Sequence, residues 1–298
     1  MRRSLTLFFS FAAVLLCADL AHGVCGPGAD TLPGGRINVG LNGSNFTVFG
    51  VAGFSDTNTY TNNTFTGPSF VQGNIGIGPN GTFSWSDGTI DGDVYMDGSG
   101  GFTMSGPAHF TSPHMVKYNQ HTVLSSAFMD YQNLSNAANN ECDTPPGGYT
   151  VNGSSTTTLT NVNITNASQS MIVKDPFGGS KIVLHLNNFI MSAGTFTLEG
   201  TATTTYIINV KNQFSLNNAK ILLANSSGIV GSSSGVQASN VLFNIRSKGI
   251  QISLNQGAQM SGVLLALGDK VDLSGGKVNG RVIGGQVNIT SGGQVISR

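Results

Sequence analysis

From residue 46 the chain runs in short bursts of apolar or β-branched residues closed by Gly or Asn. Phe46-Thr47-Val48-Phe49, Asn74-Ile75-Gly76-Ile77, Thr82-Phe83-Ser84-Trp85, Asp93-Val94-Tyr95-Met96 and Phe102-Thr103-Met104 are examples. Runs this short and this punctuated predict strands, not helices. Asn80-Gly81, Asp87-Gly88, Asp91-Gly92 and Asp97-Gly98 read as turns, since Gly accepts a positive φ and Asn or Asp tolerates it.

One stretch has a different period. Residues 117–140 contain no Gly or Pro. Leu124, Phe128, Tyr131 and Leu134 recur at helical spacing, with Ala127, Ala137 and Ala138 beside them. The spacing predicts a helix over about 117–140, stopped before Pro145-Pro146. It carries so little charge that it is expected to lie against other structure.

Beyond residue 150 the bursts come in pairs. Ile182–Leu186, Tyr206–Val210 and Val241–Ile245 each precede a second alternating run, Phe189–Met191, Phe214–Leu216 and Ile250–Ile252. Ser274-Gly275-Gly276-Lys277-Val278 returns 17 residues later as Ser291-Gly292-Gly293-Gln294-Val295. Strand pairs that recur with small corners predict a solenoid, in which each thin coil buries its inward residues only against its neighbours. Val, Ile, Leu and Phe then point in, while Ser, Thr, Asn and Gln point out or stack in ladders. An antiparallel sandwich or jelly roll is the competing fold.

Composition narrows the function. Gly, Asn, Ser and Thr make up 129 of the 298 residues, against 14 basic and 14 acidic ones. So few Lys and Arg exclude a nucleic-acid footprint. Residues 1–23 read as a signal peptide: Arg2 and Arg3, an apolar core from Leu5 to Leu16, and Ala21-His22-Gly23 before the cut. No later segment is long and apolar enough to be a transmembrane helix. The mature chain then holds Cys25 and Cys142, a possible disulfide, with two free thiols as the alternative. Ten Asn-x-Ser/Thr sequons, including Asn62 and Asn288, are close to what this composition produces by chance.

The order of elements resembles two related groups. The residues that carry the resemblance are Val48–Phe54, Gln72–Ile77, Thr89–Val94, Ser239–Ile245, Gly262–Leu267 and Val278–Ile283. The chain looks like the choice-of-anchor A family of secreted adhesin-like proteins and the ice-binding-like DUF3494 family. The resemblance implies an all-β, right-handed parallel β-solenoid with one α-helix packed alongside. The expected division is a signal peptide (1–23), a Gly- and Asn-rich entry segment (24–45) and one solenoid domain (46–298) interrupted by the helix at about 117–140. A C-terminal sorting signal, usual in choice-of-anchor proteins, is not seen at Ser297-Arg298.

Candidate chemistry is sparse. Asp87, Asp91, Asp93 and Asp97 form the one acidic cluster, a candidate for Ca²⁺ or for a polysaccharide-active β-helix enzyme. Their spacing fits no calcium motif, three stand directly before Gly, and no Lys or Arg occurs between Arg36 and Lys117. His109, His114, His121 and His185 lack metal-ligand spacing. The expectation is therefore no enzyme, no metal and no cofactor, with no binding residue singled out. Trp85 reads equally as core or as a sugar platform. The Thr residues at 156–158, 160, 201 and 203–205 are candidates for an ice-contacting ladder, although Thr favours strands anyway. The leading expectation is a secreted, non-catalytic, adhesin-like protein that contacts an extracellular surface, matrix or carbohydrate. Ice is the alternative partner and an enzyme the less favoured one.

Overall fold

A computed structural model describes residues 37–51, 62–98, 100–141, 149–151, 154–156, 159–175 and 178–297. Residues 1–23, read above as a signal peptide, and Cys25, Cys142, Thr157 and Thr158 lie outside the described residues.

The strands stack as coils. Parallel pairing links residues 16 to 27 apart along most of the chain: Asn161↔Asn188, Thr195↔Lys220, Met260↔Val278, Val271↔Val287. The 17-residue echo is one such step, because Lys277 pairs with Gln294 and Val278 with Val295. Each coil contributes one strand to each of three parallel sheets, so the chain is a β-solenoid with one helix. Handedness aside, this is the expected architecture.

Coil order in space differs from order in sequence. Phe46–Gly50 pairs with 282–284 on one side and Asn74–Ile77 on the other. Likewise Gln294–Ile296 pairs with Phe70–Gln72. The first coil therefore sits on the last coil, and the chain builds outward to Val116–Lys117. Helix α1 (His121–Asn140) then runs back along one sheet. The remaining coils return from the far end, where the hairpin of Tyr149–Val151 and Ser154–Thr156 pairs antiparallel with Ser170–Lys174 and covers its edge.

Alternation explains the core. In Asn161–Ile164 and Gln251–Asn255, exposed or half-buried polar residues alternate with buried apolar ones. Phe189, Phe214 and Phe243 pack inside, with centroids 5.3 to 5.7 Å apart. Glycine matters where coils touch: a Cβ on Gly280 (φ 145°) would collide with the carbonyl oxygen of Gly262 below it.

The helix begins at His121, later than the expected 117. Val116 and Lys117 instead pair with Val94 and Tyr95 as the last parallel strand. Lys117 Nζ is held there by Asp93 Oδ2 at 2.6 Å and Tyr95 Oη at 3.2 Å. Leu124, Phe128, Tyr131 and Leu134 pack as expected, against Phe46, Phe49, Ile207, Leu242 and Leu265 of the sheet beneath.

Candidate functional site

The three sheets present three different outer faces. The first is covered by helix α1. Its sheet turns apolar side chains outward at Val183, Ile207, Leu242, Val263 and Ile283, which form a second core with the helix. Two buried amides lock the contact. Asn209 Nδ2 donates to Ala138 O (2.7 Å). Asn244 Nδ2 reaches Asn139 Oδ1 (2.9 Å) and Asn209 Oδ1 (2.8 Å), and Asn244 Oδ1 accepts from Ser135 Oγ (2.8 Å). Tyr131 Oη donates to Gly43 O at 2.6 Å, and burial pushes this phenol well above its usual range.

The second sheet contains Ser170–Lys174, Thr195–Gly200, Lys220–Asn225 and their stack partners. Residues 226–236 interrupt it by pairing with one edge of Lys220–Asn225: Gly231 N donates to Leu223 O, Val236 N to Ala224 O, and Ala224 bridges Val230. A groove of about 520 Å³ opens beside this loop, lined by Leu222, Val230, Gln259 and Asn279. Lys174, Lys220, Lys277 and Asp91 put more charge on this sheet than the third sheet carries.

The third sheet is open. Its strands, in spatial order, are Asn161–Ile164, 188–191, 213–217, Gln251–Asn255, 270–274, 286–290, Asn62–Phe65, Thr82–Trp85 and Phe102–Met104. One outward row reads Asn161, Asn188, Gln213, Gln251, Lys270, Gln286, Asn62, Thr82. The next reads Asn163, Ile190, Ser215, Ser253, Asp272, Asn288, Thr64, Ser84, Thr103. Neighbouring coils are linked side chain to side chain: Asn188 Nδ2 to Asn161 Oδ1 (3.0 Å) and Thr82 Oγ1 to Asn62 Oδ1 (2.7 Å). The inward residues between the rows, Phe189, Phe214, Ile252, Val271 and Val287, are buried and hold the face rigid.

The residues singled out by sequence fall elsewhere. The four Asp residues serve turns and coil contacts. Gly88 N donates to Asp87 Oδ1, Thr111 Oγ1 to Asp91 Oδ1 (2.6 Å), Met115 N to Asp93 Oδ1, and His121 Nδ1 lies 2.6 Å from Asp97 Oδ2. Burial works against the charge on Asp93, yet its bonds to Lys117 and Met115 hold the carboxyl below its usual range. His114 lies between Asp91 and Asp93, at 3.6 and 3.5 Å. Trp85 belongs to the core, buried, with Nε1 donating to Asp87 O at 2.9 Å.

Among the described residues, Thr201 and Thr203 to Thr205 do not form a ladder. Thr204 and Thr205 are buried, and Thr204 Oγ1 donates to the carboxylate of buried Asp175 at 2.7 Å. Thr201 and Thr203 flank that corner, with hydroxyl oxygens 3.1 Å apart. The open face uses amides and Ser instead. Its trace in the sequence is the outward polar position of each alternating strand; the coil pairing that aligns these positions belongs to the fold.

Comparison with known proteins fits this architecture. Residues 31–296 match the model of the ice-binding-like adhesive domain family, and the chain belongs to that family. The match falls on the ice-binding-like side of the two-family resemblance. No curated protein sequence matches the chain. Similar solved structures include an ice-binding protein of the Antarctic ascomycete Antarctomyces psychrotrophicus (15% identity, 88% of this chain and 98% of that one, TM-score 0.47). A glycosylated ice-binding protein from an Arctic yeast is another (16%, 90% and 96%, TM-score 0.48). A third is the DUF3494 domain of a Shewanella frigidimarina ice-binding protein (15%, 90% and 99%, TM-score 0.42).

These findings correct the leading expectation. An adhesin-like, matrix-binding role as the leading reading is overturned by the family match, which is ice-binding-like. Among the described residues no helix is long and apolar enough to cross a membrane.

Proposed function

We propose that this protein binds ice through the open third sheet. One observation carries the reading: of the three outer faces, one lies under helix α1, one is interrupted by residues 226–236, and among the described residues only the third is uncovered, its rows mostly amides and hydroxyls around Ile190, Lys270 and Asp272. Coil stacking and strand pleat space that grid at about 4.8 Å by about 6.7 Å. Donors and acceptors held on so regular a lattice, uncharged except for Lys270 and Asp272, can order water in two dimensions, and the packed core keeps them from rearranging. Family membership supports the same reading. On this account the coils are right-handed and 46–298 acts as one unit. Residues 1–23 direct secretion, and the protein meets ice outside the cell.

The test is a bulky residue in the middle of the face. Ser215 and Ser253 are paired neighbours in the second row. Ser215→Tyr and Ser253→Tyr each break the plane without entering the core. Both are expected to abolish thermal hysteresis, while Thr195→Tyr on the second sheet leaves it intact. Absence of any hysteresis or ice shaping by the parent protein refutes the reading.

A further inference from the structure

The third sheet holds one charged strand, and that strand is at its centre. Among the nine strands, 270–274 is the fifth, with four neutral strands on each side. Lys270 interrupts the amide row between Gln251 and Gln286. Asp272 interrupts the second row between Ser253 and Asn288. The two side chains pair with each other, Lys270 Nζ to Asp272 Oδ2 at 3.1 Å, and remain partly open to solvent at 29% and 16%. Asp272 Oδ1 also accepts from Asn288 Nδ2 at 2.7 Å, and Gln286 Nε2 donates to Asn288 Oδ1 at 3.0 Å. A shallow hollow of about 460 Å³ lies beside the pair, lined by Thr64, Asp272, Ser274 and Asn288.

We infer that the Lys270–Asp272 pair divides the face into two patches and holds its affinity for ice below what the neutral grid would give. The inference rests on the ice-binding reading above. Each charge orders its own hydration shell, which does not fit the tetrahedral network of ice, and contact with the crystal strips that shell away. The pair has little value to the fold, because a partly exposed ion pair contributes weakly and its net charge is zero. Two substitutions remove the charges and keep the shape. Lys270→Gln continues the amide row. Asp272→Asn keeps a carbonyl oxygen to accept from Asn288 Nδ2. The other charged residues nearest in sequence on the paired strands are Lys277, on the second sheet, and buried Asp269, at the corner, so the double substitution leaves the face itself neutral.

The experiment compares thermal hysteresis of the full chain with that of the Lys270→Gln/Asp272→Asn double variant, each checked by circular dichroism and thermal melting. Lys277→Gln serves as a charge control on the second sheet. The expected result is a gain of at least about twofold for the double variant, since two ion-desolvation penalties are removed, and no gain for the control. Unchanged or lower activity in a folded double variant overturns the inference and leaves the ice-binding reading standing. An equal gain from Lys277→Gln also overturns it, because charge in general would then matter and not the plane. Absence of activity in parent and double variant alike defeats the ice-binding reading and this inference together. If the double variant does not fold, Lys270→Gln/Asp272→Ser, which also leaves the face neutral, decides: a gain supports the inference and no gain overturns it.

Discussion

Replacing Asn244 with Leu tests what keeps helix α1 on its sheet. Asn244 is fully buried in the second core, beneath the last two turns of the helix. It donates to Asn139 and Asn209 and accepts from Ser135. Leucine has the same branched shape and number of side-chain heavy atoms, so the loss is mainly polar: Asn139 Oδ1 and Asn209 Oδ1 lose their donor and Ser135 Oγ its acceptor. Each net hydrogen bond is worth about 1 kcal/mol, and a buried group left unpaired adds about 1–3 kcal/mol. Leucine recovers roughly 1 kcal/mol through apolar burial. The expected destabilisation is about 3 kcal/mol, read from urea unfolding monitored by circular dichroism. Asn209→Leu added to Asn244→Leu should cost much less than a second full increment, because the partners vanish together. A loss below about 1 kcal/mol for Asn244→Leu would refute the claim that the amides lock the helix.

Two further predictions follow from the seam and from a buried acid. Arg281 Nη1 donates to the carbonyls of Gly43 (3.1 Å), Ser44 (2.8 Å) and Phe46, tying the last coil to the first. Arg281→Met should lower stability by about 2 kcal/mol and raise amide exchange in 46–50 first; uniform exchange would argue against a seam. Asp269 is buried at a corner, where burial pushes its pKa to about 6 against the bonds from Ile250 N and Ser247 Oγ. The folded state thus holds this proton more tightly than the unfolded chain, whose value is near 3.8. Its contribution to stability is therefore largest below that value and falls as pH rises toward 6, by about 1–2 kcal/mol after discounting for solvent screening. Asp269→Asn should flatten the dependence of urea midpoint on pH in that window; an unchanged slope would refute the assignment.

Much of the fold was legible because solenoid physics is local. Alternation in 161–164 and 213–217 marks which side chains face in, and the step from Lys277 to Gln294 gives the register of one coil on the next. The helix stripe from Leu124 to Leu134 announced a partner, and the first sheet supplied it. Coil order was not legible. Inward Val and Phe residues are interchangeable from coil to coil, so nothing local in Phe46–Gly50 marks 282–284, over 230 residues away, as its neighbour. The open face was hidden for the same reason, since Asn62 and Gln286 become neighbours only once the ends of the chain meet. Thr201 to Thr205 misled because hydroxyls also serve corners, and the buried Asp175 carboxylate recruits Thr204 to one.

Ice-affinity partitioning addresses the central claim most directly. A labelled full chain is frozen slowly from one side, and the fraction taken into the ice is measured against the unfrozen liquid. The account predicts strong enrichment of the parent protein in ice, enrichment of Thr195→Tyr to the same degree, and exclusion of Ser253→Tyr. Equal enrichment of all three, or exclusion of the parent protein, would contradict it.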